Sequence, residues 1–463
     1  MSDTDIEIRQ GAVDHFWHNY LFILEKSAIP VKSRRWYRVH IETYIAAHRG
    51  VKLKDQYPTD IDKYLNAKGR LRYIPEWQFR QISDALRLLF CELVKPDWAK
   101  SYDWYQWRAF ARELEPDHPS LLLDSSPSAL AQQTTNPLIK RFNDDFPELY
   151  RAFIKTLRIR RMAAQTEKTY LAWLVRYFKF HQWQGIESSH DNKISEYLEY
   201  LALKRKVSAS TQRSALNSLV FFYREVLGEN LENKVAYTRA HRQRRLPTVM
   251  SQDEVKRMLI EMHGRTKLMA SLMYGTGMRV MECVRLRVQD IDFDYQQITI
   301  RMGKGNKDRV VPLPASLIID IKQLMNEVKQ LHEGDLEQGY GEALMPASLA
   351  RKLGTASKSW QWQFVFPSTR LSTDYATGKT RRYHLHQTAL QKAIRLAART
   401  AGITKRVTSH TLRHSFATHL LESGKDIRVI QELLGHADVN TTMIYTHVLN
   451  KGGLAVQSPL DVL

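Results

Sequence analysis

Apolar and aromatic residues recur at helical spacing through the middle of the chain. Between residues 166 and 180, Tyr170 and Tyr177 fall on one face of an amphipathic helix. A second amphipathic stretch covers residues 208–227 and starts with serines that can cap a helix N-terminus. Lys and Arg take outward positions beside these apolar faces. The pattern predicts an all-helical domain over residues 138–232.

The second half of the chain mixes strand and helix patterns. A capping-box sequence at Ser251 begins a helix that we expect to continue to about residue 286. Two short runs, 297–302 and 309–313, flank the polar segment GKGNKD and predict a β-hairpin. Helices are expected again from residue 386 onward. The predicted fold class is mainly α with a small antiparallel β-sheet.

Changes in composition divide the chain into domains. One segment is rich in Ser, Thr, Gln and Pro, and a second, YTRAHRQRRLP, is strongly basic; both are typical of linkers. The predicted organisation is a helical extension at 1–123, a linker at 124–137, a helical domain at 138–232, a basic linker at 233–248, a mixed domain at 249–450 and a tail at 451–463.

The extension repeats the pattern of the helical domain that follows it. A shift of 133 residues, without a gap, pairs Tyr37 with Tyr170. The same shift pairs Tyr44 with Tyr177, His48 with His181, Ile61 with Ile194, Tyr64 with Tyr197, Leu65 with Leu198, Leu86 with Leu219 and Phe90 with Tyr223. The alternative is two unrelated bundles that share only helical spacing. Our hypothesis is a duplicated helical domain, which a sheet in residues 1–120 would contradict.

Charge and cysteine content narrow the class of protein. The 69 Lys and Arg exceed the 49 Asp and Glu by 20, which indicates a polyanionic partner such as nucleic acid, although a merely basic surface is the alternative. Cys91 and Cys283 lie far apart, which fits a reducing compartment. The acidic, polar N-terminus and the lack of long apolar runs predict a cytoplasmic protein with no membrane partner.

Candidate chemistry begins with the segment SHTLRHSFATHLL. It places His410, Arg413 and His414 on one face of a helix, at i, i+3 and i+4. The next predicted helix ends at Gly435, a residue type that commonly follows a helix C-terminus. His436 therefore lies at a helix end.

Further candidates lie on either side of this segment. Asn440 is placed to cap the helix that carries Tyr445. Upstream, Arg279 stands near a helix start with Glu282 three residues later, and Lys304 lies at the tip of the predicted hairpin.

Two arginines, a lysine, two histidines and a tyrosine suit the transfer of a phosphodiester to a phenol. Guanidinium groups can clamp the non-bridging phosphate oxygens and stabilise a pentacoordinate transition state. Neighbouring cations favour the phenolate, and a lysine can protonate the leaving 5′ oxygen. The phosphotyrosyl bond conserves the energy of the broken strand, so no nucleotide cofactor is needed.

Each of these residues also has a structural interpretation when taken singly. Arg413 could be a surface arginine and Tyr445 a core tyrosine, but the joint pattern argues against both. His410 and His414 have the spacing of a zinc pair, yet no Glu or Cys completes such a site. The chain also lacks carboxylate clusters and a GxxxxGK[ST] loop. We therefore expect no metal and no cofactor.

The segments HTLRHSFATHLL, LGHADVNTTMIYTHV and TGMRVMEC resemble the tyrosine recombinase family, and the likeness extends over residues 138–463. The resemblance implies a helical, SAM-like core-binding domain and a catalytic domain that together clamp DNA. It implies that the scissile phosphate is surrounded by Arg279, Lys304, His410, Arg413 and His436 and attacked by Tyr445.

The resemblance also assigns a role to each of these residues. Arg279 and Arg413 would bind the phosphate, and His436 would donate a hydrogen bond to it. Lys304 would be the general acid, and His410 would act in acid/base catalysis. Glu282 matches an acidic position that supports the site.

An insertion at about 325–385, with the tail GGLAVQSPLDVL, is similar to integron integrases. Those enzymes recombine duplex attI sites with attC sites folded from single-stranded DNA, and so insert and excise gene cassettes. The resemblance implies that the insertion contacts extrahelical bases, that four protomers assemble on DNA and that the free protein is a monomer. The candidate base contacts are Trp360, Trp362, Pro367, Tyr383 and His384.

Several alternatives stay open at this point. The two tryptophans could simply pack the insertion onto its domain, and the subfamily often has a His pair where this chain has Tyr383 and His384. The extension at 1–123 is absent from the usual integron enzyme, and we expect it to be a second DNA-gripping bundle. The whole chain could instead be a Xer-like or phage-type recombinase of duplex sites, or a non-catalytic architectural DNA-binding protein. A type IB topoisomerase is a more distant choice.

Overall fold

Helices dominate the fold, and two small antiparallel sheets accompany them. The computed structural model describes residues 3–71, 74–104, 107, 136–160, 162–183, 190–229, 247–301, 308–345, 354–373 and 378–446. The predicted fold class is confirmed. Most of both predicted linkers, the predicted tail and Lys304 lie outside the described residues. Within the described ranges, no helix has both the length and the apolar character needed to cross a bilayer.

The N-terminal domain is a helical bundle built around a cluster of aromatic rings. Its helices are α1 Asp3–Lys26, α2 Val31–Ala47, α3 Pro58–Arg70 and α4 Glu76–Leu88, which continues as a π-helical turn at Leu89–Val94. The fully buried Tyr44 meets Tyr64 edge-to-face at 4.8 Å and Phe90 at 5.9 Å. Such aromatic pairs add stability beyond the area they bury.

The second helical domain has a core of the same kind. Its helices are α5 Pro137–Asp145, α6 Pro147–Ile159, α7 Ala164–Phe180, α8 His190–Glu199, which continues as a π-helical turn at Tyr200–Lys204, and α9 Ala209–Phe221, which continues at Phe222–Val226. Tyr177 meets Tyr197 edge-to-face at 5.5 Å and Tyr223 at 6.4 Å. Ser208 caps α9 by accepting from the Thr211 amide, which confirms one of the two serine caps predicted.

The 133-residue shift superimposes the boundaries of these two domains. The bounds of α2 and α4 become those of α7 and α9, and both π-helical turns that follow begin at equivalent positions. His48 and His181, which the shift pairs, are both C-cap residues. The described part of residues 1–120 contains helices and no strand. These coincidences support the hypothesis of a duplicated helical domain.

The third domain begins with three helices where one long helix was expected. They are α10 Gln252–Ile260, α11 Gly264–Thr276 and α12 Val280–Val284. The prediction of a continuous helix to about residue 286 is therefore wrong. Gly277 ends α11 with φ +66, a left-handed conformation, and a Cβ added there would lie 2.4 Å from Phe416. The predicted capping box at Ser251 is confirmed.

A three-stranded sheet and a two-stranded hairpin follow. The sheet has the order β1 Ile291–Asp292, β2 Gln297–Ile300, β3 Arg309–Pro312, and the β2–β3 pairing confirms the predicted hairpin strands. The remaining elements are α13 Ile318–Glu337, β4 Pro367–Thr373, β5 Thr380–His384, α14 Gln387–Thr400, α15 Ser409–Glu422, α16 Ile427–Leu434, α17 Val439–Thr442 and a 3-10 turn at Met443–Tyr445.

Helix α3 of the N-terminal domain docks against β4 of the insertion. Arg70 Nε lies 3.2 Å from Asp335 Oδ1, and Arg382 Nη2 donates to the same oxygen at 2.8 Å. Asp335 is 1% exposed, so one buried carboxylate binds two guanidinium groups from two domains. Gly69 permits the close approach, because a Cβ there would lie 2.7 Å from the Thr369 carbonyl oxygen.

A second arginine reaches across this contact in the opposite direction. Arg370 of β4 donates to the Ile74 carbonyl, and its guanidinium lies 5.7 Å from the centre of the Phe79 ring. Elsewhere, the Thr266 hydroxyl of α11 donates to the buried Asp103 at 3.1 Å. The extension therefore has a partner inside its own chain. Its expected role in gripping DNA stays a prediction.

Reversing the charge of Arg70 tests the docking contact. In Arg70→Glu a second carboxylate would face Asp335, so we expect amide hydrogens of β4 and β5 to exchange about tenfold faster, equivalent to ~1.4 kcal/mol of local stability. Lys63→Glu, at an exposed position of the same helix, is the matched control and should leave exchange unchanged. Equal protection of the hairpin in both variants would contradict the contact.

Candidate active site

Arg413 is held in place by two helix ends. It lies on α15, whose N-cap Thr408 accepts a hydrogen bond from the Thr411 amide, and its side chain is buried. Its Nη1 donates to the Gly277 carbonyl at 2.7 Å, and its Nη2 donates to the Leu434 carbonyl at 2.5 Å. These carbonyls stand at the C-terminal ends of α11 and α16, where the helix dipole favours a cation. Burial lowers the pKa of Arg413 to about 10, and nearby Arg279 adds to the effect, so the side chain stays charged at neutral pH.

Arg279 and Glu282 form a compact pair at the start of α12. The Arg279 backbone amide donates to Glu282 Oε2 at 2.7 Å, and its guanidinium Nη1 donates to Oε1 at 2.8 Å. Arg279 is the N-cap residue, as its position near a predicted helix start suggested. Because Glu282 sits in the first turn, its carboxylate satisfies a free amide of the helix as well as the guanidinium.

Arg309 is a member of this cluster that sequence reasoning missed. From the first position of β3, its Nη2 donates to Glu282 Oε2 at 2.6 Å and its Nη1 to Oε1 at 3.0 Å. Its Nε donates to the Leu433 carbonyl at 2.8 Å. Burial alone would raise the pKa of Glu282, but the hydrogen bonds and charge of Arg309, with those of Arg279, lower it to about 2. The carboxylate is therefore ionised and fixes two guanidinium groups.

His436 lies beside Arg413, just beyond the left-handed Gly435 that was predicted to end its helix. Its Nε2 is 3.1 Å from Arg413 Nη2, and its Nδ1 is 3.0 Å from the Thr442 hydroxyl. Since arginine can only donate, Nε2 is the accepting nitrogen, and Nδ1 carries the hydrogen when the ring is neutral. The tautomer and orientation of the imidazole are thereby set.

Tyr445 is 2% exposed and faces this positive cluster. Its hydroxyl is 3.0 Å from His414 Nδ1, and its ring stacks at 6.4 Å on His436. Burial raises the pKa of Tyr445, while the charges of Arg413 and Arg279 act in the opposite direction. The phenol is therefore protonated in the free protein and lies where cations favour its ionisation.

The short helix that leads to Tyr445 has a different N-cap residue from the one predicted. Asp438, not Asn440, is the N-cap of α17, and its carboxylate accepts from the Asn440 amide at 2.9 Å. The helix starts earlier than expected because a carboxylate caps as well as an amide and also favours the positive end of the helix dipole. Tyr445 itself lies in the 3-10 turn that continues from this helix.

His410 completes the described part of the cluster. It is exposed on the first turn of α15, one turn before His414. Partial burial of the imidazole lowers the pKa of His410, and the positive charges of Arg413 and Arg279 also lower it. The structure thus brings together five of the six candidate residues, namely Arg279, His410, Arg413, His436 and Tyr445. The sixth, Lys304, lies outside the described residues.

The candidate base contacts of the insertion lie in a different environment. Pro367, Tyr383 and His384 are buried, and Trp360 and Trp362 are half-buried. In this arrangement these side chains contribute to packing of the insertion, and a role in base contact stays a prediction.

The two tryptophans pack against residues of their own domain. Arg287 donates to the Trp362 carbonyl, and its guanidinium lies 5.9 Å from the centre of that ring. The Trp360 ring lies 6.1 Å from the His332 ring.

A buried tyrosine beside two oriented guanidinium groups, with a helical domain joined to a mixed one, is the arrangement that the resemblance to tyrosine recombinases implies. The chain belongs to the phage integrase family: residues 248–451 match the phage integrase family model, and residues 149–233 match the phage integrase N-terminal SAM-like domain. It is a site-specific tyrosine recombinase, a DNA strand-exchange enzyme.

Two relatives by sequence agree with this class, and one solved structure is also similar in fold. An integrase/recombinase of Escherichia coli is 44% identical over 307 residues, covering 66% of this chain and 91% of the relative. The tyrosine recombinase XerD of Agrobacterium fabrum is 33% identical over 298 residues, covering 60% and 82%. The structure of the XerH recombinase bound to palindromic difH substrate, a post-cleavage complex, matches at 20% identity with a TM-score of 0.44, covering 73% and 94%.

Removing the charge of Glu282 tests the support of the cluster. In Glu282→Gln two partly buried guanidinium groups lose their counter-charge, so we expect the free energy of unfolding of the catalytic domain to fall by about 3 kcal/mol at pH 7. Because the folded pKa lies below the ordinary value of 4.5, the stabilisation is complete above pH 4.5 and is lost as the pH falls towards about 2.

Denaturant titrations between pH 2 and 7 would measure this difference. Glu432→Gln, at an exposed position on α16, is the matched control and should change little. An equal loss in both variants, or a Glu282 effect that is independent of pH, would contradict the role of the carboxylate.

Proposed function

We propose that this recombinase integrates and excises gene cassettes, and that Tyr445 forms a covalent 3′-phosphotyrosyl bond with DNA during each strand exchange. The observation that carries the proposal is the position of the Tyr445 hydroxyl beside the Arg413 and Arg279 charges in a chain of this family. DNA is the partner. By analogy, four protomers act together on two DNA sites, and the free protein is a monomer.

The proposed chemistry depends on side chains that hydrogen bonds already hold in place before DNA binds. Arg413 commits three N–H groups to two helix-end carbonyls and His436, so its plane is fixed, and the remaining N–H groups can meet a phosphate. Arg279 is fixed likewise by Glu282. Donors that need no reorganisation stabilise the charge that develops on the pentacoordinate phosphate most effectively.

Each step of the transfer then has a candidate residue. The Tyr445 oxygen attacks phosphorus, and the bond from phosphorus to the 5′ oxygen breaks. Arg279 and Arg413 hold the non-bridging oxygens. For His436 to donate a hydrogen bond to the phosphate, its Nε2 must gain a proton and leave Arg413, from which it accepts in the free protein. Lys304 gives a proton to the leaving 5′ oxygen, and His410 assists proton movement. One phosphodiester replaces another, so the reaction consumes no nucleotide.

The finer assignment to cassette recombination is supported by the Trp-containing insertion, which the resemblance to integron integrases singles out. Folded single-stranded sites present unpaired bases that aromatic side chains can stack on. For Tyr383 and His384 to reach such bases, the insertion must first expose them, because both are now buried. We also propose that helix α3, which docks on the insertion, arose when the helical domain was duplicated.

A second candidate is recombination of ordinary duplex sites. The similarity to XerD and the burial of Tyr383 and His384 favour it. Under this alternative the insertion is a packing element, and the same tyrosine chemistry acts on paired DNA.

Covalent trapping tests the nucleophile. On a nicked suicide substrate, the wild type should accumulate a protein–DNA adduct that resists denaturation, and Tyr445→Phe should form none while DNA affinity changes less than twofold, roughly. Tyr274→Phe is the matched control, because Tyr274 is a partly buried tyrosine that also bonds a histidine of α15. Absence of an adduct with the wild type would defeat the proposal.

A substrate comparison tests the cassette assignment. The same attC sequence is supplied either as a folded bottom strand or as a duplex, each with a duplex attI partner. Cassette recombinase activity predicts at least about tenfold more product from the folded strand, because only there are extrahelical bases available to stack. Equal or greater yield from the duplex would favour the Xer-like alternative and reject the cassette assignment.

A further inference from the structure

His414 is not among the residues that the family resemblance assigns, yet it contacts the reacting atom. Its Nδ1 lies 3.0 Å from the Tyr445 hydroxyl oxygen, and the two ring centres are 5.6 Å apart. The tyrosine is almost fully buried and the imidazole half-buried. Because both groups are shielded from solvent, a hydrogen bond of this length restricts which atom can accept the phenol proton.

The helix explains why this contact coincides with the phosphate cluster. Arg413 and His414 are adjacent on α15, so one helical turn supplies both the guanidinium that faces the phosphate site and the imidazole that faces the tyrosine. The anchoring of Arg413 between two helix ends therefore also fixes His414. His436, the other imidazole near Tyr445, has its two ring nitrogens engaged by Arg413 and Thr442.

The charge state of the pair determines the direction of the hydrogen bond. Burial, together with the charges of His410 and Arg413, lowers the pKa of His414 to about 4, so the imidazole is neutral at neutral pH. A neutral imidazole has one lone pair to offer, and the phenol, whose pKa burial raises, holds its proton. The Tyr445 hydroxyl can therefore donate its hydrogen bond to His414 Nδ1.

We propose that His414 orients the Tyr445 hydroxyl and accepts its proton during strand cleavage. The O–H bond of Tyr445 breaks as its oxygen bonds to phosphorus, the proton passes to Nδ1, and the 5′ oxygen leaves with a proton from the general acid. In religation His414 returns the proton to the departing phenol. The inference rests on the proposed nucleophilic role of Tyr445.

The substrate itself favours this transfer. A phosphodiester anion bound between the arginines offsets their positive charge, which opposes protonation of the imidazole in the free protein. Among the described residues, the charged groups that act on His414 are His410 and Arg413 on its own helix, and Tyr445 contacts it directly. Arg279, at the start of α12, acts on Arg413 and Tyr445. Proton transfer concerted with attack never requires a free phenolate in the buried site.

The chain provides a matched control for a His–Tyr pair on this helix. Tyr274 and His419 Nδ1 are 2.8 Å apart, five residues further along α15, and His419 Nε2 also contacts the Met250 carbonyl at 3.0 Å. This second pair has the same chemistry but does not include the proposed nucleophile. Replacing His419 thus reports the effect of losing any buried His–Tyr hydrogen bond.

The test uses the full chain and single-turnover adduct formation on the nicked suicide substrate. Asparagine places an amide oxygen near the position of Nδ1, so His414→Asn can accept the hydrogen bond but cannot take up the proton. We expect His414→Asn and His414→Phe both to be slowed about 100-fold, a loss typical of a missing general base. Adduct formation by both variants should rise with pH between 7 and 9, where hydroxide substitutes for the base, while the wild type changes little.

A substrate with sulfur at the bridging 5′ position separates the two proton transfers, because a thiolate leaves without being protonated. It should restore cleavage by Lys304→Ala but not by the His414 variants. His419→Asn should behave as the wild type on both substrates. Wild-type rates in His414→Asn and His414→Phe, or their rescue by the sulfur substrate, would overturn the inference. If the wild type itself formed no adduct, the proposed function would fail instead.

Discussion

One largely buried carboxylate organises the candidate catalytic cluster. Glu282 accepts hydrogen bonds from Arg279 and from Arg309, and so links the start of α12 to the edge of β3. Without a fixed negative charge, guanidinium groups this close would repel each other and turn towards solvent. Arg413 achieves the same fixation without a carboxylate, because the ends of α11 and α16 supply carbonyl oxygens. The proposed phosphate recognition thus rests on groups that are already neutralised or anchored when DNA arrives.

Much of this arrangement was predictable from local chemistry. The spacing of His410 and Arg413, the left-handed Gly435 and the β2–β3 pairing all follow from short-range rules of helices and hairpins. Long-range contacts were missed, although His414 itself was noted on the helix face that carries His410 and Arg413. Arg309 meets Glu282 across 27 residues, and His414 meets Tyr445 across 31, so neither contact leaves a local pattern. Each could have been suspected only as a charged or polar residue at a buried position of its element.

The breaks in the helix that was predicted to begin at Ser251 show a second limit of prediction from sequence. Periodicity was continuous enough to predict one helix, but Gly277 ends α11 with φ +66, and Phe416 packs where a Cβ would stand. That demand comes from α15, more than a hundred residues later, and a glycine by itself does not reveal it. The break also exposes the Gly277 carbonyl, which then accepts from Arg413. A packing constraint and a site requirement are met by the same residue.

The two similar helical domains show how one fold can present two different binding surfaces. At the face where α3 meets the insertion, the first domain has Gly69, Arg70 and Phe79, while the shift of 133 residues gives Ala202, Leu203 and Gln212 in the second. The larger residue at 202 and the loss of the guanidinium remove the means of docking on β4 and Asp335, and Leu203 is 72% exposed. The paired tyrosines of the two cores are shared, whereas Phe79 is a core residue of the first domain alone. Divergence at this face is compatible with an intact bundle and changes what the bundle binds, which accounts for how an added domain can contact the insertion.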